Sequence, residues 1–261
     1  MRVAVVQMNP KDNIRANLSR AFHFIDYSAK KGAELVVLPE LFIYRGNPKA
    51  YDLYAQDRNG AAVSFFCALA REYRLTIVVG SIIEHDRKGR LYDTSFVVDS
   101  RGRVVSQYRK INLFDVALGR IRLRERDFFT PGTRPGTFSL SEHLFGLAIC
   151  FDVRYAALFC SMRHKGVGGF CIPSNFTHKT GKAHWHVLLR ARAIETQSYI
   201  FAANCSGIDP YTKVKSYGHS MIVDPWGRVI TEIPQGEGVC LADADMEAVS
   251  STRDSLRMGC S

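Results

Sequence analysis

The chain has 261 residues, 46% of them hydrophobic and 23% charged, with a formal net charge of +10. This length and composition exclude a disordered or fibrous chain and leave one large α/β domain or two small ones. No stretch approaches the ~20 apolar residues of a membrane span. The basic residues are spread along the chain, with no basic arm, zinc-finger spacing or aromatic RNA-binding motif, so neither nucleic acid nor membrane is an expected partner. The charge favours small anionic molecules.

Residues 2–7 read as a buried strand that starts at once, without the apolar stretch of a signal peptide. Asn13 to Lys31 carries apolar residues at helical spacing and ends at Gly32, and Leu35 to Glu40 follows as a second strand. This β-α-β order predicts a parallel pair. Gly60 to Tyr73 reads as a helix, and Leu75 to Ser81 as the next strand. Strands at Ile82 to His85, Leu91 to Asp99 and Val104 to Tyr108 are separated by turn signals at Lys88-Gly89 and Ser100-Arg101-Gly102, predicting antiparallel hairpins. Residues 109–137 read as a long irregular loop, a length that is usually functional. Its basic run, Arg120 to Arg126, reads as solvated surface. A strand at Leu147 to Ile149 delivers Cys150, and a helix over about 153–165 follows. Then come a strand at Gly169 to Ile172, a polar loop from Pro173 to Lys182, a helix from Ala183 to Thr196 and a strand at Tyr199 to Ala203. The chain closes with a hairpin, Gly218 to Asp224 and Arg228 to Glu232. No linker or boundary divides it, so residues 1–261 read as a single domain.

Seven cysteines at irregular spacing, with no Cys-x-x-Cys, predict free thiols in a reducing compartment, hence a cytoplasmic protein. Cys160 and Cys171 read as core or surface thiols. Cys205, in an Asn-Cys-Ser-Gly turn, reads as more exposed.

Three polar residues stand where buried strands run out: Glu40, Lys110 and Cys150. Strand ends are where ligands bind in open α/β sheets. A carboxylate there can take a thiol proton and later activate water, and an ammonium can stabilise a thiolate and a developing oxyanion. Each residue also fits a structural role: Cys150 as a buried thiol, Glu40 and Lys110 as an ion pair.

Leu38-Pro39-Glu40-Leu41-Phe42, Tyr108-Arg109-Lys110-Ile111-Asn112-Leu113-Phe114-Asp115 and Ala148-Ile149-Cys150-Phe151-Asp152-Val153-Arg154-Tyr155 resemble, in order and separation, the three motifs of the carbon–nitrogen hydrolase (nitrilase) superfamily. The resemblance implies a four-layer αββα sandwich whose subunits pair, as a homodimer or a higher homo-oligomer. It also implies a catalytic triad: Glu40 as general base, Lys110 stabilising the tetrahedral intermediate and Cys150 as nucleophile. The Phe151 backbone N–H would complete the oxyanion hole, and Glu125 would orient the lysine and the substrate. From the residues alone, Glu125 reads equally as a surface charge among arginines.

The implied reaction is amide hydrolysis through a thioester, releasing ammonia, with no metal and no organic cofactor. The runs Pro173 to Thr177, Thr180 to Trp185, Leu188 to Gln197 and Tyr217 to Met221 resemble the branch of omega-amidases and deaminated-glutathione amidases, closer to the latter. An N-carbamoyl hydrolase, a nitrilase and a catalytically silent scaffold with the same fold are the alternatives. Arg154, Asn175, Phe176, Thr177 and Thr180 are the candidate substrate-binding residues, with a structural ion pair to Asp152 or another carboxylate as the rival reading of Arg154. Helix residues 186–197 read as a subunit or solvent face. His178, His184 and His186 lack metal-ligand spacing. Two departures from the family pattern stand out. Ala156-Ala157 replaces the usual Pro-Glu, and the chain stops at Ser261 without the longer basic and aromatic tail that helps subunit contacts in relatives.

Overall fold

The computed structural model describes residues 1–118 and 121–258. Of the features singled out above, Arg120, Ser261 and one of the seven cysteines, Cys260, lie outside the described residues. In chain order the elements are β1 (Arg2–Gln7), α1 (Ile14–Lys30), β2 (Leu35–Val37), α2 (Tyr51–Tyr54), α3 (Ala61–Tyr73), β3 (Thr76–Val78), β4 (Ile82–His85), β5 (Leu91–Val98) and β6 (Val104–Arg109). They continue with β7 (Asp115–Leu118), β8 (Ile121–Arg124), β9 (Gly136–Leu140), β10 (His143–Leu147), α4 (Ala156–Arg163), β11 (Gly169–Ser174), α5 (His178–Thr196) and β12 (Tyr199–Asn204). The last are β13 (Ser220–Val223), β14 (Val229–Ile233), β15 (Gly238–Asp243) and α6 (Glu247–Ser255).

Among the described residues, one sheet runs β15-β1-β2-β3-β5-β4 with β6 paired to β5, and a second runs β14-β13-β12-β11-β10-β9. The β1-β2-β3 and β10-β11-β12 ladders are parallel, as βαβ crossovers require. The first sheet is apolar on both faces because both are covered. Val3, Val5, Leu35 and Val37 meet Phe145 and Phe201 of the second sheet, while Ala4, Val6, Val36 and Leu38 pack with Ile25 of α1 and Phe66 of α3. The second sheet is covered outside by Phe159 and Met162 of α4 and by Trp185 and Leu189 of α5. The layers are therefore helix, sheet, sheet, helix: the expected αββα sandwich.

Several boundaries differ from the sequence reading. The segment 109–137 is not irregular throughout: it contains the β7–β8 hairpin and the start of β9. The strand before Cys150 ends at Leu147, and Cys150 opens a 3-10 turn, Cys150–Arg154. Helix α5 begins at His178, inside the segment expected to be a polar loop, because the Thr177 side chain caps it by accepting from Thr180 N–H. Gly181 sits in its first turns. There it is not a breaker but a contact, since a Cβ would lie 2.3 Å from the Tyr217 ring. Cys205 is fully buried, correcting its expected exposure. Its chain extends β12, bridging to Met8, and its Sγ–H donates to the Glu40 carbonyl at 3.4 Å. The Ala156-Ala157 departure does not abolish the following helix, as α4 starts at Ala156.

Candidate active site

Glu40, Lys110 and Cys150 come from three segments that end at the same edge of the sandwich. Glu40 follows β2, and Leu41 after it takes a left-handed backbone, φ 45°. Gly80 lets that turn close, because a Cβ there would stand 1.9 Å from the Pro39 carbonyl oxygen. Lys110 follows β6. Cys150 itself is left-handed, φ 47°, a strained conformation for a non-glycine residue that aims its side chain out of the β10 line.

Asp152 holds these pieces in register. One of its oxygens accepts from Asn112 N–H at 2.9 Å and Asn112 Nδ2–H at 2.8 Å. The other accepts from Ile149 N–H at 2.9 Å and Tyr108 O–H at 2.7 Å. The carboxylate thus ties the segment carrying Lys110 to the turn carrying Cys150. With its lone pairs filled this way, Asp152 is no partner for Arg154, which removes the ion pair considered from the sequence.

Lys110 is buried, and its Nζ–H groups donate to Glu40 Oε1 at 2.6 Å and Glu125 Oε1 at 2.9 Å. Glu125 also accepts from Phe114 N–H at 2.7 Å, so it is anchored by the lysine and by the base of the β7–β8 hairpin rather than being a loose surface charge. Burial pushes the Lys110 ammonium towards neutrality, but the carboxylates of Glu125 and Glu40 outweigh it and hold the group protonated, well above the usual lysine range. Burial and the Glu40 charge drive the Cys150 thiol well up, opposed by Lys110 and by the Asn175 backbone N–H facing the sulfur. The thiol at rest therefore carries its proton. Burial also raises Glu125, despite Lys110.

A residue the sequence did not reveal completes the cluster. Asp93 lies within β5 with Oδ2 at 3.6 Å from Lys110 Nζ, fully buried. Neither of its oxygens makes a hydrogen bond of ordinary geometry among the described residues, although Ser81 faces the carboxylate. Burial, then repulsion from Glu40, drives its pKa well above the usual carboxylate range. A raised carboxyl pKa stabilises the fold fully only below the unfolded-state value, and that contribution is lost as pH rises. Asp93→Asn is therefore expected to be more stable than the parent. The gain should widen with pH above about 4, by up to about 1.4 kcal/mol per pH unit while Asp93 stays protonated in the fold. Thermal melts at pH 5, 6 and 7 check this; a pH-independent difference would contradict a neutral Asp93.

The cluster opens onto a cavity of about 150 Å³. Its wall includes Glu40, Glu125, Cys150 and Phe151 together with all five expected substrate-binding residues, Arg154, Asn175, Phe176, Thr177 and Thr180. Arg154 is half-buried, with its guanidinium 5.3 Å from both the Phe151 and the Phe176 rings. It meets His184 Nδ1 at 3.2 Å, its Nε–H is unsatisfied, and it has no carboxylate partner among the described residues. Arg45, also on the wall, was not anticipated. Its guanidinium is already committed, with Nε–H donating to Asp209 at 3.0 Å and Nη2–H to Ser216 Oγ at 2.7 Å. Ser216 in turn donates to Asn175 Oδ1, so Arg45 fixes the wall.

The comparisons agree with this architecture. The carbon–nitrogen hydrolase family model matches residues 2–254. Deaminated glutathione amidase of Mus musculus is 36% identical over 261 residues, covering 97% of this chain and 80% of that protein. Omega-amidase NIT2 of Xenopus tropicalis is 35% identical over 256 residues, covering 98% and 92%. The crystal structure of Saccharomyces cerevisiae Nit3 superposes with a TM-score of 0.89 at 31% identity, over 98% of this chain and 94% of that one. The Caenorhabditis elegans NitFhit structure gives 0.91 at 34% identity; this chain is covered to 98% and spans 63% of that one. With its sandwich fold and nearly its whole length matched, the chain belongs to the carbon–nitrogen hydrolase family of the nitrilase superfamily, in the branch of the omega-amidases and deaminated glutathione amidases.

Proposed function

We propose that the chain, acting as one domain, is a cysteine amidase that removes ammonia from a terminal amide of a small anionic substrate, most like a deaminated glutathione amidase. The observation that carries this reading is the convergence of a buried glutamate–lysine pair and a thiol at one cavity whose wall also holds Arg154, which has no carboxylate partner among the described residues. Cys150 Sγ attacks the amide carbonyl while its proton passes to Glu40, so no free thiolate accumulates in a site that disfavours it. The oxyanion that forms is stabilised by Lys110 and the Phe151 N–H. Glu40 returns the proton to the leaving nitrogen, and the thioester remains on Cys150. Glu40 then takes a proton from water, whose oxygen attacks the thioester; the carboxylic acid leaves and the thiol is restored. Glu125 keeps Lys110 oriented. Asn175, Phe176, Thr177 and Thr180 shape the cavity around the substrate.

Arg154 is assigned to the substrate carboxylate. Arg154→Gln is expected to raise KM for an anionic amide by about 10- to 100-fold, the worth of one charge-assisted contact, with a smaller change in kcat. Equal KM values for parent and variant would remove Arg154 from substrate binding.

Ammonia release from α-ketoglutaramate, deaminated glutathione, an N-carbamoyl amino acid and an aliphatic nitrile tests the reaction class. Release confined to deaminated glutathione supports the main reading. Preference for α-ketoglutaramate selects the omega-amidase alternative, and release from none, with folded protein, favours a silent scaffold. We further propose a homodimer formed through the outer face of α5, where Val187 and Ile194 are exposed. A monomer in sedimentation velocity at micromolar concentration would refute it. The thiols, with no disulfide among the described residues, suit the reducing cytoplasm, which cell fractionation checks. No helix among the described residues is long and apolar enough to cross a membrane.

A further inference from the structure

Where α5 meets the β13–β14 edge, outside the cavity wall, three side chains from separate elements converge: His186 on α5, His219 just before β13 and Glu232 on β14. His186 Nε2 lies 3.0 Å from Glu232 Oε1, and His219 Nδ1 meets the same oxygen. The donor atoms of all three residues lie within 4.8 Å of one another. His219 is fixed by contacts of its own. Its backbone is left-handed, φ 57°, its carbonyl accepts from Trp185 Nε1–H at 2.7 Å, and its ring stacks on Tyr217 with centroids 4.1 Å apart. Tyr217 packs on Gly181 of α5. The ring is therefore presented to Glu232 by its surroundings and not by the carboxylate alone.

We propose that His186, His219 and Glu232 form a binding site for a divalent transition-metal ion, Zn²⁺ being the best match. Two imidazole nitrogens and one carboxylate oxygen suit zinc, and the nitrogen donors disfavour Mg²⁺ and Ca²⁺. Ligands about 2.0–2.1 Å from a tetrahedral ion stand about 3.3–3.4 Å apart. The three side chains reach that spacing by small rotations, which their partial exposure permits. Water fills the remaining position. The sequence-adjacent histidines gave no such site because the partners of His186 come from β14 and from the approach to β13.

The other group of candidate ligands, Glu40, Asp93 and Glu125, differs in kind. There the Lys110 ammonium already occupies the cation position. A metal at His219 would clamp α5 to the β13–β14 edge and brace the turn that continues into Ser216, a residue of the cavity wall. Its role is structural, and the amide chemistry does not pass through it.

Titration calorimetry of EDTA-treated protein with ZnCl₂, and absorption spectra with Co²⁺, test the site. One equivalent of Zn²⁺ is expected to bind with micromolar affinity, and Co²⁺ should give visible bands without the intense near-ultraviolet band of a thiolate ligand. His186→Asn and Glu232→Gln are each expected to weaken binding by at least about tenfold. Neither should move the metal-free melting temperature by more than about 2 °C, since surface substitutions cost little. Binding that is unchanged in both variants, a thiolate band, or no binding at 1 mM Zn²⁺ would overturn the proposal.

Discussion

Cys150→Ala is expected to lower kcat for the amide substrate by at least about 10⁴-fold while leaving the fold intact. The magnitude follows from losing a covalent route, since the remaining carboxylate and ammonium cannot drive water directly onto a stable amide. The stability expectation follows from the site. The alanine keeps the left-handed backbone at position 150 and removes a sulfur that burial and Glu40 disfavour as an anion. The two proteins should melt within a few degrees of each other. Steady-state ammonia release and thermal melts check both halves; Cys150→Ala at more than a hundredth of parent activity would exclude this cysteine as the nucleophile.

Lys110→Met is expected to damage stability and catalysis together. The lysine side chain is fully buried among Glu40, Glu125 and Asp93, so its loss leaves the Glu40 and Glu125 carboxylates without their cation. Removing one partner of such a buried set costs about 3–5 kcal/mol. The pH dependence gives the result its signature. The raised Lys110 pKa stabilises the fold below the unfolded-state value of lysine, and this is lost as pH rises through the folded value. At acid pH the carboxylates of the variant take up protons instead. The gap between parent and variant should therefore be widest near neutrality and close on both sides. Loss of the oxyanion partner adds a fall of about 10²–10³ in kcat. A variant within 1 kcal/mol of the parent at pH 7 would refute the account of the cluster.

Glu40 and Cys150 could be singled out from the sequence because each stands just past a buried apolar run, whereas the strand before Lys110 is only partly buried and the motif around that lysine singled it out. Asp93 could not, because it lies inside a strand whose neighbours are all buried, and only the three-dimensional approach to Lys110 gives it meaning. Asp152 was visible as a polar residue after Cys150, but three of its four hydrogen bonds reach across to Tyr108 and Asn112, which no local pattern encodes. The β1-α1-β2 unit and the central strands follow from strong apolar periodicity. The β7–β8 hairpin was hidden by its arginines, which read as a basic run. Helix α6 was missed because Val249 is its one buried residue among those described, too few to mark a helical face. Cys205 was misjudged because its turn-like neighbours mask a chain that continues along β12 into the core.

The central claim is a thioester on Cys150, and rapid acid quench during turnover, followed by peptide mass spectrometry, tests it most directly. The predicted result is the acyl group of the substrate on the peptide containing Cys150, with added hydroxylamine diverting product to the hydroxamate. Ammonia release with no adduct on Cys150 and no hydroxamate would contradict the covalent mechanism.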